Sequence, residues 1–209
     1  MSQFFAIHPV NPQPRLVRRA VEILRAGGVI VYPTDSCYAL GCHIGDKAAM
    51  ERISRIRQTD REHNFTLVCR DLAEISHYAR VDNSAFRLLK AHTPGPYTFI
   101  LRATGEVPKR LQNPKRRTIG IRVPEHPVAQ ALLAELAEPI MSSTLILPGH
   151  DLPMTDPEDI REALEHHVDL VIDGGHCGIE PTTVVAIDDG QVRVMRQGRG
   201  DAAVFGSTA

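Results

Sequence analysis

The stretch Gly27-Gly-Val-Ile-Val-Tyr-Pro-Thr-Asp-Ser-Cys-Tyr-Ala-Leu-Gly-Cys42 joins an apolar, β-branched run to a run of small polar residues. Residues 29–32 are too few for a helix and follow a glycine pair suited to ending one, so they predict a buried strand. Pro33 cannot donate to a sheet ladder, so polar side chains should project where this strand ends. These side chains are Thr34, Asp35, Ser36 and Tyr38.

A polar loop at the end of a strand has two interpretations. Ligands of open α/β sheets bind at strand ends, which makes the loop a candidate binding site. Thr34 and Asp35 also suit a turn or a helix cap, which would give them a local role only. The residue pattern leaves both interpretations open.

Length and charge limit the class of protein. The chain has 209 residues, and we expect a single domain over residues 1–209. Lys and Arg number 24 against 25 Asp and Glu, so any basic surface must be local. No apolar segment approaches the length needed to cross a bilayer, and residues 1–10 lack the pattern of a signal peptide. We therefore expect a cytoplasmic protein without a membrane partner.

The cysteines give no sign of a metal centre. The chain has four of them, Cys37, Cys42, Cys69 and Cys177, and they form no CxxC pair. In a chain without a secretion signal they are expected to be reduced thiols. With no pairs at zinc-ligand spacing, no protein-bound metal is expected.

Helical and strand patterns alternate through the chain. The predicted helices cover residues 15–26, 46–57, 71–78, 83–92, 127–136 and 156–166. The predicted strands after the first cover residues 65–69, 97–101, 118–123, 141–147, 168–172, 182–187 and 192–196. Asp188-Asp-Gly190, between the last two strands, is a strong hairpin signal. The pattern predicts an α/β fold with an open mixed sheet flanked by helices.

Hydroxyl and arginine side chains recur where the predicted strands end. They are Thr34, Ser36, Thr98, Arg122, Ser142, Ser143, Thr144 and Arg196. Arginine offers a fixed fork of donors, and Ser and Thr adapt to the remaining lone pairs, so this set suits phosphate and carboxylate groups. No nucleophile elbow, Walker A loop, GxGxxG or HExxH motif occurs. The residues alone therefore predict an anion or nucleotide site.

Two basic clusters have alternative interpretations. Arg52 and Arg55 lie toward the end of a predicted helix, where the helix dipole stabilises cations. Arg57 and Arg61 lie beside the following loop, where anion binding is an equally good interpretation. The second cluster lies in residues 107–117, which are expected to be more loop than helix. Its members are Lys109, Arg110, Lys115, Arg116 and Arg117. This cluster is either a solvated face or a nucleic-acid contact.

Several segments, in this order, resemble the YrdC family. They are Tyr32-Pro-Thr-Asp-Ser-Cys-Tyr-Ala-Leu-Gly41, Pro94-Gly-Pro-Tyr-Thr-Phe-Ile-Leu101, Ile121-Arg-Val-Pro-Glu-His-Pro127, and Asp173-Gly-Gly175 with Pro181-Thr-Thr-Val-Val185. Phe65-Thr-Leu67, Cys69-Arg-Asp-Leu72 and Leu147-Pro-Gly149 look like the YciO branch of that family. The resemblance covers nearly the whole chain and implies a YrdC-like twisted mixed sheet with a large concave face.

The resemblance implies an ATP-dependent nucleotidyltransferase similar to L-threonylcarbamoyladenylate synthase. Such proteins combine L-threonine, bicarbonate and ATP into threonylcarbamoyl-AMP and pyrophosphate for tRNA modification, and Mg²⁺ is expected with the nucleotide. The implied catalytic residues are Thr34, Arg57 and Arg122. The implied substrate-binding residues are Thr34, Ser36, Tyr38, Thr98, Arg122, Ser142 and Ser143. The implied nucleotide-binding residues are Arg57, Arg61, Thr144 and Arg196.

Two positions depart from the family motifs. The Lys-x-Arg motif falls on Arg57-Gln-Thr59, so the lysine is an arginine, and the arginine is lost unless Arg61 substitutes for it. The Ser-x-Asn motif falls on Thr144-Leu-Ile146, so an aliphatic side chain replaces the amide. A polar ligand group left unpaired there would lose about 1 to 3 kcal/mol. Turnover should therefore be weak, or the substrate should differ.

The family has also been described as including double-stranded RNA binders, which gives a second hypothesis. In it the protein binds double-stranded RNA, tRNA or rRNA and keeps a vestigial nucleotide pocket. The RNA-binding residues would be Arg55, Lys109, Arg110, Lys115, Arg116 and Arg117. Recognition of double-stranded RNA depends on shape and phosphates, so few aromatic side chains are needed.

Overall fold

The structure, a computed structural model, describes residues 1–58 and 65–206. Its α-helices are α1 (Pro14–Arg25), α2 (Lys47–Arg57), α3 (Leu72–Tyr78), α4 (Asn83–His92), α5 (Pro127–Leu136) and α6 (Pro157–Leu164). Its strands are β1 (Gln3–Ala6), β2 (Ile30–Tyr32), β3 (Ala39–His43), β4 (Thr66–Val68), β5 (Tyr97–Arg102), β6 (Thr118–Arg122), β7 (Ile140–Thr144), β8 (Leu170–Asp173), β9 (Thr183–Asp188) and β10 (Gln191–Arg196). None of the helices in these residues is both long enough and apolar enough to cross a membrane.

Local sequence explains where the helices begin. The side chains of Asp46, Asp71, Asp82 and Asp156 accept hydrogen bonds from backbone N–H groups in the first turns of α2, α3, α4 and α6. Proline occupies the first turn of α1, α5 and α6, where its missing N–H costs nothing. The six predicted helices are confirmed.

The sequence patterns do not predict strands β1 and β3. Strand β1 has only four residues, and it forms by parallel pairing with β8, which is distant in the sequence. Strand β3 follows the polar loop at once and contains Gly41, a residue depleted in strands. A Cβ on Gly41 would lie 2.8 Å from the Tyr32 ring, so close packing requires this glycine. The strand predicted over residues 141–147 ends at Thr144, because the Ile146 N–H turns back to the Thr144 carbonyl at 3.0 Å.

The ten described strands form one sheet in the order β1-β8-β2-β3-β7-β4-β6-β5-β9-β10. Parallel pairs, such as β1 with β8 and β5 with β9, occur beside antiparallel pairs, which confirms the predicted mixed sheet. The turn between β9 and β10 has Asp189 at φ 47° and Gly190 at φ 78°, the positive angles that a type I′ hairpin turn requires.

One face of the sheet packs into the larger core. Leu67, Phe99, Ile121, Met141 and Val185 come from five neighbouring strands and are fully buried in it. Helices α2, α3, α4 and α6 contribute their apolar side chains to the same core.

The opposite face is covered only in part. Helices α1 and α5 pack over its β1-β8-β2 side, where Leu24 and Leu132 share a cluster with Ile30 and Leu170. No described residue of β5, β6 or β9 belongs to that cluster. Within the described residues, the apolar cluster under α1 and α5 therefore does not extend over these three strands, and the candidate site lies on this face.

Candidate functional site

The uncovered part of the sheet forms the floor of a cleft of about 350 Å³. Strand residues two apart share a face, so Thr98 and Ile100 of β5 and Gly120 and Arg122 of β6 line the cleft, whereas Ile121 points into the core. A Cβ on Gly120 would contact the Thr98 methyl group at 3.4 Å, so the glycine leaves space on the floor of the cleft that a side chain would fill.

The cleft gathers the residues predicted to bind ligand. Those that line it are Thr34, Ser36, Tyr38, Arg57, Thr98, Arg122, Ser142, Ser143, Thr144 and Arg196. Arg61, the other predicted nucleotide contact, lies outside the described residues, as does Thr59. The lining also includes Tyr32, Cys37 and Thr182, which the sequence patterns do not single out. The roles of the individual side chains stay predictions.

The Thr34 hydroxyl builds the loop between β2 and β3. It donates to the Cys37 carbonyl at 2.7 Å and accepts from the N–H groups of Ser36 and Cys37, both at 3.2 Å. Thr34 therefore has the turn-forming role that was one of the two interpretations of its position. Its side chain is only 5 % exposed and shapes the wall of the cleft.

Arg122, at the end of β6, is held by the same loop. Its Nη2 donates to Oδ1 of Asp35 and its Nη1 donates to the Ser36 hydroxyl at 3.2 Å. Arg122 lines the cleft and Asp35 does not, so the carboxylate lies behind the guanidinium. Nε of Arg122 and Oδ2 of Asp35 are buried and have no hydrogen-bond partner within the described ranges. A guanidinium that lines the cleft and is fixed by two partners suits an anionic group that enters the cleft.

Two buried tyrosines brace the walls. The Tyr32 hydroxyl donates to Ser142 Oγ at 2.9 Å, and that hydroxyl in turn donates to the Leu40 carbonyl at 3.1 Å. The Tyr38 hydroxyl donates to the Gly175 carbonyl at 2.6 Å and so ties the loop after β8 to the cleft. Burial raises the pKa of Tyr32 to about 12 and raises the pKa of Tyr38 as well. Both phenols are therefore uncharged at neutral pH.

Arg57 reaches the cleft from the end of α2. Its Nη1 donates to Ser143 Oγ at 2.5 Å and its Nε donates to the Ile146 carbonyl at 3.3 Å, which fixes the guanidinium against the end of β7. Burial lowers the pKa of Arg57, but a guanidinium stays charged at neutral pH. Ile146, the position at which the resemblance implies an amide, also lines the cleft.

The opposite wall is formed by β5, β9 and the segment after β10. The hydroxyls of Thr98 and Thr182 are 2.7 Å apart, and Arg196 Nη2 donates to the Thr182 carbonyl at 2.9 Å. A Cβ on Gly198 would lie 2.2 Å from the Pro181 carbonyl, so this close approach requires glycine. Thr182 lies just before β9, and the pairing of β9 with β5, which no local sequence pattern contains, brings it beside Thr98.

In the described part of the chain, burial keeps the thiols protonated, and the side chains that could bind a metal ion do not cluster. The four cysteines are free, and burial raises the pKa of Cys37 to about 11 and that of Cys177 to about 12, so these thiols are protonated at neutral pH. Among the described residues, no group of three or more His, Cys, Asp or Glu side chains is placed to hold a metal ion. The expectation of Mg²⁺ together with a nucleotide stays a prediction.

The residues predicted to contact RNA lie in separate places. Arg55 lines a cavity between α2 and α6. Arg110 donates to the Gly45 carbonyl, just before α2 begins. Arg116 and Arg117 line a different cavity. RNA binding by these residues stays a prediction.

Sequence comparison reveals relatives along most of the chain. The family model Sua5_yciO_yrdC, described as telomere recombination, matches residues 22–198. The uncharacterized protein YciO of Escherichia coli K12 is 61% identical over 205 residues, which are 98% of this chain and 100% of that protein. The threonylcarbamoyl-AMP synthase of Nitrosococcus oceani is 33% identical over 159 residues, which are 76% of this chain and 85% of that protein.

Solved structures share the fold. The crystal structure of E. coli YciO superposes with a TM-score of 0.94 at 61% identity and covers 98% of this chain and 100% of that chain. The crystal structure of P. abyssi Sua5 complexed with L-threonine has a TM-score of 0.86 at 22% identity and covers 94% of this chain and 58% of that chain. These similarities confirm the predicted YrdC-like arrangement of a mixed sheet flanked by helices.

Proposed function

The chain belongs to the Sua5/YciO/YrdC family, and from that premise we propose that it is a nucleotidyltransferase that joins L-threonine, bicarbonate and ATP into threonylcarbamoyl-AMP. The observation that carries the proposal is the convergence of Arg57, Arg122 and Arg196, with a set of hydroxyls, on one cleft. The product would serve modification of tRNA, which makes the cytoplasm the proposed place of the reaction.

The proposed reaction requires the cleft to position three reactants. The threonine amine and bicarbonate combine into a carbamate with loss of water. A carbamate oxygen then attacks the α-phosphorus of ATP, and pyrophosphate leaves with the electrons of the broken P–O bond. In such a transfer the protein acts mainly by positioning the reactants and by offsetting negative charge. Guanidinium and hydroxyl groups are suited to both tasks.

Arg122 is the proposed contact for the carboxylate or the carbamate. It lies on the floor of the cleft, is 7 % exposed, and is held in place by Asp35 and Ser36. A donor that is fixed before the ligand arrives loses little side-chain entropy on binding. The small side chains of Thr34 and Ser36 beside it leave room for an amino acid.

Arg57 and Arg196 are the proposed contacts for phosphates. Arg57 is fixed at the end of β7 and Arg196 beside β9, and three strands separate β7 from β9 in the sheet. Neighbouring strands lie about 4.8 Å apart, so the two walls are roughly 19 Å apart at the backbone. Both side chains reach into the cleft from these walls, so the two guanidinium groups are closer together than the backbones, and we propose that the phosphates of a nucleoside triphosphate bind between them.

Ile146 makes the nucleotide side of the cleft less polar. Its side chain lines the cleft, and its carbonyl already accepts from Arg57. A nucleotide would lose one polar partner at this position, which costs about 1 to 3 kcal/mol if the ligand group stays unpaired. We therefore propose a synthase with weak affinity for ATP.

The test is pyrophosphate release from ATP and bicarbonate, with and without L-threonine, together with incorporation of labelled bicarbonate into the adenylate. Release is expected to require threonine. Arg57→Gln and Arg122→Gln are each expected to lower the rate by about 100-fold, because a positioned donor to a developing charge is lost. Arg18→Gln, on the exposed face of α1, changes the net charge equally and should leave the rate unchanged.

The results of this assay distinguish a working synthase from a protein whose nucleotide pocket is vestigial. A thermal melt first establishes which variants are folded, since Arg122 is part of a buried ion pair and Arg57 is only partly buried. Pyrophosphate release that does not depend on threonine would contradict the proposal. So would the absence of release at high enzyme concentration, or a rate that Arg57→Gln leaves unchanged in a folded protein.

A further inference from the structure

A second cavity lies at the other ends of the strands that form the cleft. Its volume is about 600 Å³. Five of the residues that line it are arginines: Arg80, Arg102, Arg116, Arg117 and Arg193. Such a density of guanidinium groups is unusual in a chain whose net charge is −1. The groups have no role in the proposed synthase reaction.

Strand register separates this cavity from the cleft. Thr98, in the cleft, and Arg102, in the second cavity, are both on β5, and four residues of strand extend about 13 Å. Arg102 pairs with Thr118, which begins the antiparallel strand β6. Strand β9 runs parallel to β5 and ends at Asp188, so Arg102, Thr118 and Asp188 lie at the same ends of their strands. The two cavities therefore lie at opposite strand ends.

The positive charge in the second cavity is only partly neutralised. Arg102 donates to Asp188 at 2.8 Å and to Asp189 at 2.9 Å. The other four arginines have no carboxylate within ion-pair distance in residues 1–58 and 65–206. These four are Arg80, Arg116, Arg117 and Arg193. Like charges that converge on one concave surface repel one another, and an anion bound there removes that repulsion.

The loop that carries two of these arginines is ordered by Asn113. The Asn113 side chain accepts from the N–H groups of Lys115 at 3.1 Å and Arg116 at 3.0 Å, and its carbonyl accepts from the Arg117 N–H at 2.8 Å. Arg117 has φ 54°, in the left-handed region that side chains of its size rarely adopt. Its carbonyl accepts from the Ala103 N–H at 2.9 Å, which fixes the loop to the end of β5. The loop therefore presents consecutive arginines in a defined and strained conformation.

We propose that this second cavity binds a small ligand that carries two or more phosphate groups. The proposal goes beyond the synthase function and does not depend on it. The volume is in the range of small-molecule sites, about 300 to 1,000 Å³. Arginine forks match phosphate oxygens in pairs, so several arginines without a carboxylate partner are complementary to a ligand with several negative charges. None of the described lining residues is aromatic, so the site recognises phosphates without stacking on a base.

Isothermal titration with sodium tripolyphosphate tests the proposal on the full chain. Arg193→Gln and Arg117→Asn are each expected to weaken binding by about tenfold, since each removes a charged donor. Asparagine adopts the left-handed backbone more readily than arginine, so Arg117→Asn should keep the fold while it loses the charge. Arg18→Gln on α1 is the control for net charge and should leave the affinity within about twofold.

Three results would overturn the proposal. The first is no binding of tripolyphosphate at millimolar concentration. The second is binding that Arg57→Gln abolishes and Arg193→Gln leaves intact, because the ligand would then sit in the cleft. The third is binding of double-stranded RNA that requires Arg193 in a protein that does not bind tripolyphosphate, because the arginines would then serve an RNA backbone.

Discussion

Arg122 and Asp35 lie 87 positions apart in the sequence and form an ion pair whose side chains are 8% and 11% exposed. The pair joins the loop after β2 to the end of β6. Charges removed from water are tolerated when they are paired, so each side chain depends on the other. The loop geometry and the positive charge of the cleft are therefore one structural unit.

Replacing Asp35 should destabilise the fold. Asp35→Asn leaves the Arg122 guanidinium buried without its counter-charge, and we expect the free energy of unfolding to fall by about 3 kcal/mol. Urea denaturation measures the loss. Threonine-dependent pyrophosphate release should fall as well, because Arg122 would no longer be held on the floor of the cleft.

An exposed ion pair supplies the control for this prediction. Asp189 accepts from Arg102 at 2.9 Å, but its side chain is 79% exposed. Solvent screens such a pair, so Asp189→Asn should change stability by less than about 1 kcal/mol. Equal decreases in the free energy of unfolding for Asp35→Asn and Asp189→Asn would show that burial of the Arg122–Asp35 pair does not increase its contribution to stability.

Much of this site follows from local sequence. Arg122 lies between Ile121 and Val123, so period-two alternation in β6 directs its side chain away from theirs, and Pro33 predicts the loop after β2. The hairpin at Asp189 and Gly190 is equally local, since the turn type requires positive φ at both residues. These features depend on residues within a few positions of each other.

Other features depend on contacts that no local pattern contains. The pairing of Asp35 with Arg122 needs the loop after β2 to reach the end of β6. The contact of Thr182 with Thr98 needs β9 to lie parallel to β5. The second cavity likewise exists because Arg80 and Arg193, far apart in sequence, meet at one sheet edge. Sheet order decides all three contacts.

Restoring the missing amide should strengthen nucleotide binding. Ile146→Asn puts a donor and an acceptor on the cleft wall, and a recovered hydrogen bond of about 1 to 3 kcal/mol corresponds to roughly 5- to 150-fold in ATP affinity. Equilibrium binding of labelled ATP measures the change. Ile100→Asn, which adds the same amide to the floor at β5, should not bring this gain. A gain from Ile100→Asn alone would place the nucleotide elsewhere in the cleft.

Crowding the segment after β10 should displace Arg196. In Gly198→Ala the new Cβ would meet the Pro181 carbonyl at 2.2 Å and the Thr182 carbonyl carbon at 2.6 Å, so the segment must move. We expect a stability loss of about 1 to 3 kcal/mol and a higher KM for ATP. Gly105→Ala is the matched control, because its Cβ would meet nothing within 4 Å. A Gly198→Ala protein with unchanged KM would remove Arg196 from the nucleotide site.

His126, the N-cap of α5, should make stability depend on pH. Burial lowers the pKa of His126 below its ordinary 6.5, although the Asp35 carboxylate opposes this effect. The unfolded chain therefore takes up a proton as the pH falls through 6.5, while the folded protein keeps the imidazole neutral. The contribution of neutral His126 to the free energy of unfolding is complete above pH 6.5 and decreases as the pH falls below 6.5.

The substitution that tests this is His126→Asn. Asparagine can still accept the Val128 N–H that His126 Nδ1 accepts at 3.2 Å, so the cap survives while the titration is removed. Urea denaturation at several pH values between about 7 and 5 should show a smaller loss for His126→Asn than for the original chain. His150→Asn, at an exposed histidine, should keep the original pH dependence. If His126→Asn and His150→Asn lose stability in parallel as the pH falls, then burial of His126 is not the cause.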